Sequence, residues 1–585
     1  MSPMRSRRTL PLAALALLAV GAAVYSASLR NGFVFDDTDY LALNPAVATM
    51  ADPARFFLDP STLAGDPDLA RVNYRPLAAL GFALSRAVLG LDPAKHHFLN
   101  ALLHALNSVL LLLLFWRLLP LLSPSLPEER RLFTAGLGAG IFLLHPVQTE
   151  SVLWIAQRSG LQSMALMLLA WHAELTGRER ASRAWRGTGW AAFAAALLTK
   201  EGAAVLPLFL LAQAWAAPAA QDRPGSRWSG RLLAVLPHGL ILALFAAVKV
   251  AALGRWGQQP DYWAGTLPAT VLTTLKAFTV YLRLLVRPWP LSIEHLVRPA
   301  LTALDPVLLG SLVLHANLLV VAWLWRERDR VLSFGILVYL TALLPFCNLI
   351  PIGAIVQERF LYVPMAGFSL AAAGLAAALA CARTPAPPLW RWKAASAAAG
   401  VLLLACAMLV LRRTADWSGN LPLFQSAARL DPLSARIQFG LGKEYPRTGR
   451  WQEGIRALRF SLAVNPTREG LLRGALLVDG DDREFWDQVG RARVYMQADA
   501  PWPEGLMTLG TELLADGDYP AAVRALGLGA RAAPDRADIQ ANLAAALALS
   551  GDLPAAIRLS EDLLRRHPEL TALRENLELM RRRRR

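Results

Sequence analysis

From residue 10 to residue 411 the chain is a succession of apolar runs, many close to 20 residues long, punctuated by short clusters of arginine. A helix rises about 1.5 Å per residue, so a run of that length matches the roughly 30 Å of a bilayer's hydrocarbon core. Composition agrees, since 55% of the 585 residues are hydrophobic and only 18% charged, too apolar for an ordinary soluble protein of this size. The chain therefore reads as a polytopic membrane protein. Its first run, Leu10 to Leu29, follows Arg5, Arg7 and Arg8, a pattern shared with signal peptides. Its length and the further runs behind it favour an uncleaved first transmembrane helix.

The arginine clusters orient the runs. Arg130 and Arg131; Arg178, Arg180, Arg183 and Arg186; Arg223, Arg227 and Arg231; Arg326, Arg328 and Arg330; and Arg383, Arg391 and Lys393 all belong on the cytoplasmic side with the N-terminus by the positive-inside rule. That requires an even number of crossings between successive clusters. Spans near 10–29, 98–118, 132–147, 159–175, 187–199, 202–218, 232–252, 304–325, 331–350, 361–382 and 394–411 satisfy it, eleven in all, and leave the C-terminus outside. Leu267 to Val286 is apolar enough to be a twelfth, but counting it inverts the clusters that follow, so it reads as interfacial or re-entrant. Thr199, Lys200, Glu201 and Gly202 read as a turn at the outer face.

The outward segments are then residues 30–97, His145 to Ser159, TKEG, residues 253–303 and Pro351 to Pro364. Nearly every polar cluster outside the arginine loops falls in one of them. Such residues at membrane level are costly and by default mark a site. The net charge of +16 lies largely in the short loops and in Arg581 to Arg585, which argues against nucleic acid. The terminal run reads as a solvated tail in preference to a site for anionic lipid or polysaccharide. Cys347, Cys381 and Cys406 have no ligand-like spacing and read as packing residues.

After residue 411 the composition turns to soluble helix. Pro432, Pro466, Pro534 and Pro568 lie 34, 68 and 34 residues apart, the tetratricopeptide spacing with one period doubled. Gly442, Tyr445, Gly449, Ala457 and Ala463 occupy positions where small and aromatic residues let paired helices pack, and the stretch from Ala537 to Pro568 repeats the pattern. Residues 467–500 are degenerate. About four such units make a short superhelical stack. The fold class expected is all-α: a multi-spanning bundle of about 11 spans over residues 1–411, with its first outer loop at 30–97, then a tetratricopeptide-repeat solenoid at 418–580 and a polybasic tail at 581–585.

Asp36 and Asp37 follow the first span directly in NGFVFDDTDY, flanked by Phe33, Phe35 and Tyr40. Two readings stay open: solvated carboxylates capping a helix start, or a carboxylate at the bilayer surface placed to take a proton from an acceptor hydroxyl. Arg75, Arg158, Lys200 and Arg359 are single outward cations, with Glu150, Glu201 and Glu358 as partners; each alone suits a snorkelling or paired side chain, and together they suit a phosphate-bearing lipid headgroup. Tyr74, Trp154, Trp263 and Tyr362 suit either stacking on sugar or lipid or the ordinary aromatic belt. His96, His97, His104 and His145 read as structural. Two adjacent carboxylates could bind a divalent ion, but no compact oxygen-ligand set extends beyond Asp36, Asp37 and Glu150, so a metal-independent site is expected, with a divalent cation as the alternative.

The ordered set NGFVFDDTDYLALNP, YRPL, HHFLNALLHALN, LLHPVQTESVLWIAQRS, LLTKEG and QERFLYVPMAGF, followed by the repeats, resembles the transmembrane-and-tetratricopeptide-repeat O-mannosyltransferases of the GT-C superfamily and their bacterial relatives. The resemblance covers most of the chain, with gaps at 253–303 and 467–500. It implies a membrane glycosyltransferase using a polyprenyl-phosphate-linked sugar, with Asp36 or Asp37 as general base and Arg75, Glu150, Arg158, Lys200, Glu201, Glu358, Arg359 and Tyr362 around the substrate. In animal members the sugar is mannose and the acceptor protein, which the repeats would select. The implied place is a bacterial inner membrane with the site and repeats on the periplasmic, or lumenal, side. The alternatives are transfer to a glycolipid or polysaccharide, and a non-enzymatic repeat scaffold for envelope assembly.

Overall fold

The computed structural model describes residues 6–50, 52–65, 73–124, 126–217, 227–254, 262–352, 354–380, 389–464 and 503–584, and among them there is no β-strand. They divide into two compact units. The first comprises residues up to Tyr262, Thr266–Ile293 and Ala300–Gly419; the second comprises Trp263–Gly265, Glu294–Pro299 and Asn420–Arg585.

The first unit is a helical bundle whose elements are α1 (Ser6–Tyr25), α2 (Pro76–Leu89), α3 (Pro93–Leu122), α4 (Glu128–Leu144), α5 (Arg158–Glu179), α6 (Arg183–Thr199), α7 (Leu206–Ala216), α8 (Arg227–Leu253), α9 (Leu267–Val286), α10 (Pro306–Trp325), α11 (Arg330–Ala342), α12 (Pro364–Ala380) and α13 (Leu389–Asp416). Local chemistry sets several starts. Asp92 accepts from the Ala94 amide and Asp305 from those of Val307 and Leu308, each with proline next in sequence, where a missing N–H costs nothing. Among the described residues six helices are long and apolar enough to cross a membrane, or up to seven if a bent pair counts as one. Five of these fall on expected spans and the sixth is Leu267–Val286; elsewhere Glu128–Leu144 and Pro146–Leu153 meet at 49° beside Pro146, and α7 keeps only 11 residues because a 3₁₀ turn, Glu201–Val205, precedes it.

α9 is one of the six, a continuous 20-residue helix. Its bonds nevertheless run to segments on the side where α4 ends and α10 begins. Lys276 pairs with Asp305 at 2.7 Å, the Asn348 amide donates to Thr274, the Tyr281 hydroxyl donates to the Ile355 carbonyl, and the Leu285 carbonyl bonds to His145.

Close helix contact needs small residues where backbones meet. A Cβ on Gly335 of α11 would lie 2.7 Å from the Ala371 amide, and one on Gly367 of α12 would strike the Tyr339 amide. The first outer loop has its own core of Leu41, Val47, Phe56, Leu63 and Phe82, packed with Ile155, and its ends are tied by the Gly65 amide donating to the Asp39 carbonyl at 2.7 Å.

The second unit stacks paired helices: α14 (Asn420–Ala428), α15 (Ala435–Glu444), α16 (Trp451–Val464), α17 (Pro503–Ala515), α18 (Tyr519–Ala532), α19 (Ala537–Leu549), α20 (Leu553–Arg566) and α21 (Thr571–Arg584). Gly449, Gly517 and Gly551, at twice and once the repeat period, turn each pair with φ of +80°, +83° and +97°. Gly442 lies against Leu458, and Gly510 against Leu526, where no side chain would fit. The degenerate unit at 467–500 lies outside the described residues, as do Arg223, Cys381 and Arg383. α13 runs to Asp416, five residues past the expected end of the membrane domain, through a polar last turn in which Arg413 and Thr414 are buried and Arg413 pairs with Asp416 at 2.9 Å.

Candidate functional site

The site begins where α1 ends. Phe35 has φ +48°, a left-handed conformation that a bulky residue adopts only when its surroundings impose it. The imposing group is the next carboxylate but one. Asp37 is fully buried, with Oδ2 accepting from the Val34 amide at 2.9 Å and Oδ1 from the Ala156 amide at 2.7 Å. The side chain closes its own turn and pins the first outer loop to the second. Burial outweighs both amides and pushes the carboxyl up to about 7. Asp36, one residue earlier, is half-buried.

Around this turn stand four cations. Arg75 binds Glu201 at 2.9 Å, and Lys249 from α8 binds the other oxygen of Glu201 at 2.7 Å. Those two cations hold the Glu201 carboxyl well below the usual range, against the effect of burial. Arg359 is locked to Glu150, which also accepts from the Arg359 backbone amide at 3.0 Å, and to Gln357; its guanidinium lies 5.0 Å from the centre of the Trp154 ring. Lys200 differs from the others: its ammonium donates to a neutral group, the Gln157 amide oxygen, at 2.8 Å. Desolvation and the nearby charges of Arg75 and Arg359 bring its pKa down to about 7. Tyr40 ties the set together, since its phenol, held up to about 12 chiefly by burial, feels Arg75, Asp36, Arg359 and Glu201. Lys200 and Arg359 also line a cavity of about 40 Å³ with Ser151, Gln157, Ser163 and Phe360.

Of the residues expected from sequence, Asp36, Arg75, Glu150, Lys200, Glu201 and Arg359 therefore gather in one place. Four others are placed apart from this set or are engaged within the protein. Arg158 is buried behind the turn with its donors taken by Asn100 at 2.9 Å, Ser85 at 2.7 Å and His96 at 3.0 Å, near enough for its charge to act on Asp37. Glu358 is buried and accepts from the Ser292 amide at 2.7 Å, fixing the chain beyond α9. The Tyr362 hydroxyl is engaged inside the bundle by His104 at 2.9 Å and Asn107 at 3.1 Å, so only its ring borders the cavity. Asp37 is buried and bonded by two backbone amides. Trp154 is likewise buried, between Phe35 and Arg359, and the Tyr74 hydroxyl donates to the Phe57 carbonyl.

Lys249, Gln157 and Tyr40 were not among the sequence candidates. Lys249 carried a usable signal, a lone cation inside an apolar run; Gln157 carried none, because its importance comes only from what faces it. For a divalent cation the fit is poor. Among the described residues no three His, Cys, Asp or Glu side chains gather, Glu150 is spent on Arg359, and Asp37 on backbone amides.

Fold and site define a class: a multi-helical membrane protein with a charged cleft at one end of its helices, joined to a tetratricopeptide-type repeat stack. No family model matches the chain. It is similar to the protein O-mannosyl-transferase Tmtc3 of Drosophila melanogaster, 25% identical over 554 residues, covering 82% of this chain and 58% of that protein. It is 23% identical to mouse TMTC3 over 486 residues, covering 77% and 51%, and 24% identical to mouse TMTC4 over 485 residues, covering 74% and 64%. The chain is thus similar, at 23–25% identity, to proteins named protein O-mannosyl-transferases. It spans between half and two thirds of the length of these relatives. Among solved structures, the APC/C hetero-tetramer Cut9-Hcn1 aligns at 14% identity over 86% of this chain and 96% of that chain, with a TM-score of 0.19 that carries no argument.

Proposed function

We propose that the chain is a membrane glycosyltransferase that moves mannose from a polyprenyl-phosphate donor to a protein hydroxyl, with inversion, at the periplasmic or lumenal end of the bundle. The observation that carries this reading is the gathering of Asp36, Arg75, Glu201 and Arg359 around Tyr40, with Lys200 beside Arg75, Arg359 and Glu201. Transfer from a phosphate-linked sugar needs a base on one face of the anomeric carbon and cations for the departing phosphate on the other. Asp36 is the base: of the two adjacent carboxylates it is the half-buried one, whereas Asp37 is fully buried. It takes the proton of the acceptor hydroxyl as that oxygen bonds to the anomeric carbon. The bond from that carbon to the phosphate oxygen breaks, and the phosphate leaves with the electron pair toward Lys200 and Arg359. Lys200 suits this role because its ammonium has only a neutral partner to exchange for phosphate. The repeats select the acceptor.

The test is transfer of labelled mannose from a polyprenyl-phosphate donor in membranes, comparing the native chain with Asp36→Asn. Loss of transfer with unchanged expression supports the enzyme and its base. Transfer that survives in the variant sinks the catalytic assignment, and failure of the native chain to consume any donor in a panel of lipid-linked sugars moves the scaffold reading ahead.

A further inference from the structure

A second cavity in the first unit lies away from the candidate site. It measures about 530 Å³ and opens at the opposite ends of the helices, where the arginine clusters lie; its walls include Arg130 and Thr134 of α4, Arg328, the first residues of α11, and Gly374 and Ala377 of α12. That volume is in the range of pockets that hold a small-molecule ligand. Three features point to what it holds.

The first is an orphaned donor. Thr134 is fully buried, lines the cavity, and its hydroxyl has no hydrogen-bond partner. A buried hydroxyl without a partner costs free energy that a ligand oxygen would recover. The second is charge. The acidic residues of the wall already have partners, Glu327 with Arg330 at 3.0 Å and Asp329 with the Leu332 amide at 3.0 Å. Arg328 is exposed at the mouth, and Arg130, which lies over the Trp392 ring at 5.8 Å, completes a cationic rim. The third is depth. Arg131 sits 3.5 Å from the centre of the Trp116 ring and Arg326 4.0 Å from that of Trp323, so arginine and tryptophan share one level, as they do at a membrane interface. The other part of the wall is apolar and low, because Gly374 and Ala377 carry little or no side chain there.

We infer that this cavity binds the headgroup of an anionic phospholipid, with its phosphate between Arg328, Arg130 and the Thr134 hydroxyl and its acyl chains passing over α12. A soluble phosphate shares the headgroup chemistry, but the level of the mouth and the apolar wall favour a lipid. The inference is independent of the proposed reaction.

The full-length chain, purified in detergent with phosphatidylcholine and phosphatidylglycerol present together, would be examined by native mass spectrometry. Retained phosphatidylglycerol is expected in the native protein, falling about fivefold with Arg328→Gln and again with Arg130→Gln, while phosphatidylcholine is unchanged. Ala377→Trp fills the cavity without altering charge and is expected to lower retention too; should it unfold, Arg328→Gln at the exposed mouth keeps the test alive. Equal retention in the native chain and Arg328→Gln overturns the proposal. Displacement of the lipid by millimolar inorganic phosphate would reassign the cavity to a soluble anion.

Discussion

Asp36 and Asp37 are chemically identical neighbours that the fold treats differently. Asp37 spends both oxygens on amides of two separate outer loops and is fully buried, whereas Asp36 stays half-buried. Asp36→Asn is therefore expected to cut transfer by about 10² to 10⁴ with little change in melting temperature, as labelled-sugar transfer and a thermal melt in detergent would show. Asp37→Asn should act through stability, since an amide nitrogen cannot accept from the second backbone N–H; about 1–3 kcal/mol is expected by melting. Asp37 also gives a pH signature. Its folded pKa, about 7, lies above its ordinary value, so the folded state holds the proton more tightly and stability falls as pH rises from about 4 to about 7. The Asn variant should lose that slope. Lys200 runs the other way, because its folded pKa, also about 7, lies below its ordinary value. Stability gains from it as pH rises from about 7 toward 10.5, while donor affinity weakens above about 7 as the ammonium is lost, and Lys200→Gln should flatten that pH dependence in a donor-binding assay. Which of two adjacent carboxylates faces outward, and which of four cations has a neutral partner, are facts of placement that a single sequence does not hold; Arg158 and Lys200 look alike as residue types and end in opposite roles.

At the scale of elements, the site is assembled by ties between segments distant in sequence. Glu201, in the turn between α6 and α7, holds Arg75 from the first outer loop and Lys249 from α8. Glu201→Gln leaves two neighbouring cations facing each other and should destabilise the protein by roughly 2–4 kcal/mol, less than a fully buried pair because all three side chains keep some exposure. A melt on the full chain measures it, and an unchanged melting temperature would show the bridge to be incidental. The pair α11 and α12 makes a packing prediction. Gly367→Leu places a side chain against the Tyr339 backbone, which cannot yield as a flexible side chain would, and should cost at least about 2 kcal/mol. The positions of helices were legible in the apolar runs, but their lengths were not. A 3₁₀ turn at Glu201 and a bend at Pro146 follow from local backbone chemistry that hydropathy averages away.

At the scale of the whole molecule, the bundle carries the charged cleft and the repeats form a separate unit, so the two can fail separately. Gly510→Leu drives a side chain into Leu526 and should disorder the repeat there. Transfer to a protein acceptor is then expected to fall while donor binding persists; loss of both would tie the repeats to the bundle's integrity instead. The sequence by itself determined what repeats along the chain: apolar runs of membrane length, arginine clusters between them, proline and glycine at the 34-residue period, and a set of polar motifs assigned to one face. Those are properties of composition and spacing, and they survive any arrangement of the helices. The tertiary structure decided what depends on distance between remote residues. It buried Asp37 and left Asp36 half-exposed, turned Arg158 inward to Asn100, Ser85 and His96, brought Lys249 to Glu201, and opened an arginine-rimmed cavity on the far face. The physical reason is the same in each case: a charged group's role is set by its partners and its solvent, and both are chosen only when the helices pack.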